Sequence, residues 1–230
     1  MIGSVISVQV GQKMTYNEEN RHIVAKKSWT TASYKHVKEG AVAVRFNGLD
    51  GDEVADTVHH GGIDKAVFAN SYENYPIWSR FLGIDTLPFG ALSENVTLSK
   101  LHERSVTLGE IHRIGTAILQ VSQPRKPCWK ISRRWNNIDF TSEIYTSGLT
   151  GWYYKVLEEG TMQAGDSVHL LQKEDQSISI LEANKAFKEP IEGQKTLEAI
   201  LMMTALAPSY LKSIATRLKG ESDLSYMKMV

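Results

Sequence analysis

The sequence has very little cysteine and no excess of charge of either sign. Cys128 is the one cysteine, so no disulfide can form within the chain, and an unpaired thiol is typical of a reducing compartment. Lys plus Arg and Asp plus Glu both number 26, so no net field draws the protein to nucleic acid or to an anionic membrane. These absences predict a cytoplasmic protein that binds neither a nucleic acid polymer nor a membrane.

Long apolar runs and the motifs of several enzyme classes are also missing. No uncharged stretch is long enough to cross a bilayer, and residues 1–11 have the pattern of a first strand rather than of a signal peptide. P-loop, dinucleotide-binding, Gly-x-Ser-x-Gly and His-Glu-x-x-His motifs do not occur. With a single cysteine, a structural zinc site is not expected. The 230 residues suffice for one large domain with a small appendage.

The first three quarters of the chain predict short β-strands separated by turns. Apolar and β-branched residues dominate seven segments, and the turn signal Asn47-Gly48 follows the second of them. These segments are 2–10, 41–46, 66–69, 94–98, 110–115, 117–122 and 167–171. Because many short strands at close spacing favour a closed barrel, we predict a mainly β fold with a barrel domain over residues 1–175.

Helical patterns are few within the predicted barrel region. Residues 71–81 carry aromatic side chains at a spacing of three, although Pro76 weakens the pattern. Residues 152–158 are predicted as a second helix, with Gly160 at its C-terminal end.

The end of the chain has a different, helical pattern. Ser179 and Glu182 have the spacing of a capping box, and residues 196–206 and 209–219 each place apolar side chains on one face. We therefore predict a domain of three short helices over residues 176–230. Their apolar faces would dock on the barrel or, alternatively, form a homodimer.

The segment around the cysteine is the strongest candidate for chemistry. It reads Ser122-Gln123-Pro124-Arg125-Lys126-Pro127-Cys128-Trp129-Lys130. Its prolines favour an extended backbone after a predicted strand. Its three cations would favour the thiolate, which is the form that ligates a metal or acts as a nucleophile. Residue types alone leave this interpretation and a buried structural cysteine at roughly even odds.

Two further segments are weaker candidates for a binding site. In His59-His60-Gly61-Gly62-Ile63-Asp64-Lys65, the glycines would allow backbone N–H groups to converge on an anion, and the lysine would add a charge for phosphate. Adjacent histidines in a strand face opposite ways, so they are poor joint metal ligands. Glu94-Asn95 offers groups that would read the edge of a heterocycle. By themselves, both segments are more often ordinary turns.

Taken together, these segments resemble the MOSC family, named for the C-terminal domain of molybdenum-cofactor sulfurases, and in particular its bacterial YiiM-type branch. The matching residues are Gly48-Leu49-x-Gly51-Asp52, His60-Gly61-Gly62-x-Asp64-Lys65-Ala66, Glu94-Asn95, Leu119-Gln120-Val121-Ser122-Gln123-Pro124-Arg125-x-Pro127-Cys128-x-Lys130, Gly151-Trp152-Tyr153, Gly160 and Gly165-Asp166. Ser93 stands where family members commonly have glycine. The order and spacing of the segments make a chance match implausible.

The resemblance implies a β-barrel that binds the molybdenum cofactor, a molybdopterin, with the metal ligated by Cys128. Thiolate is a soft ligand suited to such a metal. The expected cofactor-binding residues are His60, Gly61, Gly62, Asp64, Lys65, Glu94, Asn95, Gln123, Arg125, Pro127 and Lys130. Cys128 is also the expected catalytic residue.

The resemblance also implies an oxidoreductase that detoxifies N-hydroxylated compounds, such as N-hydroxylated purine bases, by oxygen-atom transfer. Because no flavin, haem or iron–sulfur motif occurs, the electrons would come from an external donor. One alternative is a non-catalytic module that carries cofactor or sulfur to another enzyme. A metal-free enzyme with Cys128 as nucleophile is another. Pyridoxal phosphate is not expected, because nothing marks Lys65 or Lys130 as a Schiff-base residue.

Overall fold

Thirteen strands and six helices make up the structure, a computed structural model that describes residues 1–17, 28–57, 60–175, 177–221 and 224–227. The strands are β1 (Gly3–Val10), β2 (Met14–Asn17), β3 (Ser28–Thr31), β4 (His36–Val37), β5 (Val42–Arg45), β6 (Gly48–Leu49), β7 (Val67–Ser71), β8 (Val96–Ser99), β9 (Ile111–Ile114), β10 (Ala117–Pro124), β11 (Trp152–Glu158), β12 (Gly160–Met162) and β13 (Ser167–Gln172). The helices are α1 (Tyr75–Leu82), α2 (Trp129–Trp135), α3 (Phe140–Ser147), α4 (Ile180–Lys188), α5 (Gln194–Leu201) and α6 (Pro208–Leu218). Within these ranges, we find no helix with the length and apolarity needed to cross a membrane.

Seven of the described strands close into a barrel, which confirms the predicted fold class. They are hydrogen-bonded in the order β13-β9-β10-β11-β7-β8-β1, and β1 returns to pair with β13. β7 and β8 pair in parallel. In β1, Val5 and Val8 are both buried although they are three residues apart, because the pairing with β8 shifts register between Val5 and Ser7. Such a bulge explains why the sequence of this strand alternates only in part.

The predicted helix over residues 152–158 is wrong, because this segment is strand β11. Its even-numbered residues Trp152, Tyr154 and Val156 are buried, and the residues between them are not. This period of two is that of a strand with one face in the core. Gly160 does not end a helix but starts β12, where a Cβ atom would lie 2.6 Å from the Ala117 nitrogen.

Helices α1, α2 and α3 enclose a second apolar cluster, separate from the barrel core. Its members include Trp78, Phe140, Ile131 and Ile144. The predicted helix over residues 71–81 is confirmed as a 3-10 turn (Tyr72–Asn74) followed by α1, and Pro76 lies in the first turn of α1, where a missing N–H costs little. The sequence did not predict α2 and α3. α2 begins directly after Cys128, so this cluster fixes the backbone at the cysteine.

The three helices at the end of the chain pack against the barrel. Ser179 caps α4 with the predicted capping box, and α5 ends five residues before the predicted limit. Apolar residues of these helices belong to the same buried cluster as the strands, among them Ile180, Leu197 and Ile214. The apolar faces of these helices are therefore used within the monomer.

Candidate functional site

A cavity of about 130 Å³ lies where the ends of β7, β8, β10 and β11 meet the segments before them and after them. Its walls include Phe68 and Tyr153 from β7 and β11, and Cys128 and Ile131 from the start of α2. Its ionisable wall residues, besides Cys128 and Tyr153, are Lys35, Asp52, Glu53, Asp56, His60, Lys65, Arg125 and Lys130. The cavity therefore combines one thiol, a dense set of charges and an aromatic floor.

Local backbone geometry places the thiol in this wall. β10 ends at Pro124, and Cys128 is extended (φ −120°, ψ 162°) directly before α2. The Thr141 hydroxyl donates to the Cys128 carbonyl at 3.1 Å, which ties the segment to α3. The side chain of Cys128 is 9% exposed, and it lines the cavity rather than the apolar cluster beside it.

Arg125 lies over the ring of Phe68, which in turn packs against Tyr153. Its guanidinium carbon lies 5.4 Å from the centroid of Phe68, and the Phe68 ring packs against Tyr153 at 5.2 Å. Burial raises the pKa of Tyr153 to about 12, with Arg125 acting in the opposite direction. The Arg125 backbone donates to the Gly151 carbonyl at 3.1 Å, and Gly151 has φ +72° with no room for a Cβ atom beside the Ala69 carbonyl. Glycine at 151 therefore allows the close approach that positions Arg125.

His60 is an uncharged member of the cavity wall at neutral pH. Burial, followed by the nearby charges of Arg125 and Lys130, lowers its pKa to about 4. The next two residues, Gly61 and Gly62, both have positive φ, and a Cβ atom on Gly61 would lie 3.2 Å from Val54. Only glycine fits this path without strain. His59 lies outside the described residues.

Acidic residues pair with some of the cavity's cations. Lys35 contacts Asp52 at 2.5 Å, and Lys130 lies 3.8 Å from Asp56. Burial lowers the pKa of Lys35 and that of Lys65, in both cases against the influence of a nearby carboxylate. The cavity can thus accept an anion, because its cations are already partly desolvated and fixed.

Comparison with known proteins identifies the family. The sequence model of the MOSC domain matches residues 56–169. YflK of Bacillus subtilis (strain 168), an uncharacterized protein, is 34% identical over 91% of this chain and 92% of its own length. YiiM of Escherichia coli (strain K12) is 30% identical over 78% of this chain and 80% of its own length. The chain belongs to the MOSC family.

A solved structure and a fungal relative extend this result. The crystal structure of YiiM from Geobacillus stearothermophilus matches this MOSC protein with a TM-score of 0.77 and 28% identity, covering 94% of this chain and 99% of that one. The chain thus has the fold of the YiiM-type branch. A protein of Gibberella moniliformis named as a reductase is 30% identical over 69% of this chain but only 29% of its own length.

The MOSC cavity brings together six of the eleven cofactor-binding residues predicted from the sequence. These are His60, Gly61, Lys65, Asn95, Arg125 and Lys130, and Cys128 lies among them. Gly62, Asp64, Glu94, Gln123 and Pro127 do not line the cavity. Of these, Gly62 and Asp64 still shape the turn that carries Lys65. The Gln123 amide donates to the Pro124 carbonyl at 3.2 Å.

Glu94 and Asn95 have structural partners instead of an open edge. The buried carboxylate of Glu94 accepts hydrogen bonds from the Gly90 and Leu92 backbones at 3.0 and 2.9 Å, and from the Tyr75 hydroxyl. The Asn95 carbonyl oxygen accepts from the Phe68 backbone, and its amide donates to Asp52 at 2.8 Å. Asn95 still lines the cavity, and the expectation that this pair reads a heterocycle stays a prediction. They fix the loop that presents Ser93 to the cavity.

Sequence reasoning missed several wall residues and misplaced one cation. Lys35, Phe68 and Ser93 line the cavity but stand outside any motif that marks chemistry. Lys35 pairs with Asp52 of the Gly48-Leu49-x-Gly51-Asp52 match, but no spacing in the sequence links the two residues. Lys126 was expected beside the thiol, but it faces the C-terminal helices, with its ammonium 4.5 Å from the Phe187 ring centroid.

Proposed function

We propose that this MOSC protein is a molybdenum-cofactor-dependent reductase of N-hydroxylated compounds. One observation carries the proposal: Cys128 shares a single cavity with Lys65, Arg125 and Lys130. A soft thiolate ligand and a cluster of cations match the two ends of a molybdopterin, which are the metal and the phosphate. The family and the relative named as a reductase support the same reaction class.

The residues of the cavity fit the cofactor by their donor chemistry. Cys128 would ligate the metal, Arg125 and Lys130 would hold the phosphate with charge-assisted hydrogen bonds, and Lys65 lies in the same wall. Gly61 lines the cavity without a side chain, so a bulky pterin could approach its backbone closely. When bound, the cofactor supplies a metal centre that removes oxygen from an N–O bond after reduction by an external donor.

The protein's own groups would orient the substrate and supply protons. Reduction of a hydroxylamine to an amine and water consumes two electrons and two protons, so the site must deliver protons. His60 is neutral at pH 7 and can accept a hydrogen bond from an N–OH group. Lys65 would be the proton donor, because burial lowers its pKa and so favours release of its proton. Phe68, Tyr153 and Ile131 would exclude bulk water from the reacting bond.

The proposal is tested by metal and pterin analysis of protein made in a host that synthesises the cofactor. We expect wild type to carry molybdenum and pterin, and Cys128→Ser to lose at least about tenfold of both, because a metal ligand is removed. The exposed Ser142→Ala change on α3 is the control and should retain both.

Turnover separates the reductase from its alternatives. Loaded wild type should reduce 6-hydroxylaminopurine with a chemical electron donor, and Cys128→Ser should not. Loaded protein that reduces no N-hydroxylated compound would favour a cofactor carrier. Active protein without molybdenum would favour the nucleophilic cysteine, and either result would refute the proposal.

A further inference from the structure

A second, smaller cavity lies between the barrel and the C-terminal helices. It encloses about 20 Å³, and Arg125 lines both this cavity and the one at Cys128. The main wall residues are Lys126 from the segment after β10, Tyr145 from α3, Phe187 from α4 and Tyr210 from α6. We call this space the junction cavity. A volume of this size holds one water molecule or one ion of similar size.

Three hydrogen-bond donors in this wall have no acceptor in the described part of the chain. The hydroxyl groups of Tyr145 and Tyr210 are buried and make no hydrogen bond, and Tyr210 is only 3% exposed. The Lys126 ammonium packs on aromatic faces, 4.5 Å from the Phe187 centroid and 6.0 Å from the Tyr210 centroid. No carboxylate of the described residues lies within ion-pair distance of it.

The charges around the junction cavity are positive. Burial, then Lys65 and Arg217, lower the pKa of Lys126 to about 8. Arg217 cannot turn away, because its guanidinium donates to the Phe187 and Lys188 carbonyls at 2.7 and 2.9 Å. The Lys126 side chain is partly buried with no carboxylate of the described residues beside it, and the two buried tyrosine hydroxyls lack a described acceptor, so both features cost free energy. A single negative charge in the cavity would offset both.

We propose that the junction cavity binds one small inorganic monoanion of the size of chloride. The three donors would surround it, with the ammonium of Lys126 as its counter-ion. The volume excludes phosphate and sulfate, and a water molecule would satisfy the hydroxyls but leave the partly buried ammonium of Lys126 without a counter-ion. This inference does not depend on the proposed reductase activity, since none of the three donors touches the cavity at Cys128.

The first test measures thermal stability of the full chain in sodium chloride or bromide against sodium gluconate at equal ionic strength. We expect a saturable rise in Tm of about 2–4 °C with the halides, since a ligand that binds only the folded state stabilises it. Lys126→Met and Tyr210→Phe should lose this rise. Lys212→Met, an exposed lysine on α6, is the matched control and should keep it.

The second test needs no variant and therefore does not depend on the folding of one. Crystals of wild type soaked in sodium bromide should show an anomalous peak between the Lys126 ammonium and the two tyrosine hydroxyls. A water molecule there without anomalous signal, or the same halide effect on Tm in Lys126→Met as in wild type, would overturn the proposal.

Discussion

Arg125 and Lys126 are neighbours in sequence but lie in opposite environments. Arg125 borders both cavities, but its guanidinium lies over Phe68 on the side of the Cys128 cavity, where carboxylates balance part of the positive charge. Lys126 faces the junction cavity, where its ammonium lies over Phe187 and where the other nearby charges are cations. A run of basic residues in an extended segment is therefore not one electrostatic surface, because successive side chains point to different sides.

Phe68 and Phe187, the rings beneath Arg125 and Lys126, provide a matched pair that tests whether the two environments are separate. Their substitution should give the largest changes in stability. Phe68 and Phe187 are 4% and 7% exposed, and each has a cation over its ring. We expect each change to alanine to lower the free energy of unfolding by about 3–5 kcal/mol, measured by urea denaturation. Only Phe68→Ala should also lower the molybdenum content, because only its ring supports Arg125.

Phe46→Ala provides the control for this pair. The Phe46 side chain is half exposed, so its removal should change the free energy of unfolding by less than about 0.5 kcal/mol. If Phe187→Ala lost as much molybdenum as Phe68→Ala, the two sides of the segment would not be separate environments.

The next largest effect should be the dependence of stability on pH, which involves His60 in the Cys128 cavity and Lys126 in the junction cavity. The pKa of His60 is lowered to about 4 and that of Lys126 to about 8, so the unfolded chain binds more protons in the windows of about pH 4–6.5 and 8–10.5. Stability should therefore rise with pH in both windows, by about 3 kcal/mol in each. Urea denaturation of cofactor-free protein in gluconate buffer would measure it.

Each window should respond to a different substitution. His60→Gln should flatten the acidic window and leave the alkaline one. Lys126→Met should leave the acidic window and reduce the rise in the alkaline one, to which the lowered pKa values of Lys35 and Lys65 also contribute. Flattening of the same window by both substitutions would show that the two sites are coupled and would contradict the division.

Substitution of Ser93, which lines the Cys128 cavity, should give the smallest change in stability. Its φ of +73° is in the left-handed region, which costs a non-glycine residue about 1 kcal/mol or more. Ser93→Gly removes that strain but adds freedom to the unfolded chain, so we expect a net gain of up to about 0.5 kcal/mol in urea denaturation.

Ser142→Gly within helix α3 is the matched control for Ser93→Gly. It should destabilise the protein by about 0.5 kcal/mol, because glycine is a weaker helix former than serine. A loss of stability in both variants would mean that the backbone at Ser93 is not strained.

The sequence predicted the barrel because its strands carry the signal in local patterns. Apolar and β-branched segments ended by turns identified β1, β5, β7, β8, β9, β10 and β13. Residues 152–158 misled because aromatic residues followed by a glycine fit a helix end as well as a strand, and only pairing with β7 and β10 decides between them. Helices α2 and α3 are short, and packing around Trp78 and Phe140, rather than local pattern, stabilises them.

The sequence predicted those residues of the candidate site that lie close together along the chain. Cys128, Arg125 and Lys130 lie within six residues, so a single segment revealed them. Lys35 reaches the same cavity from a distant segment through Asp52, which no spacing rule anticipates. Glu94 was assigned to a ligand because sequence does not show that backbone N–H groups already occupy its carboxylate.

The backbone at the start of α4 is hydrogen-bonded to the segment that joins barrel strands β8 and β9. Thr107 bridges to Ser179, and the Ile180 and Leu181 amides donate to the Val106 and Glu103 carbonyls at 3.0 and 2.8 Å. The helical end of the chain cannot swing out as a rigid flap, because opening would first break these hydrogen bonds. In native-state hydrogen exchange, the amides at 180 and 181 should therefore open together with the barrel rather than as a separate, weaker unit.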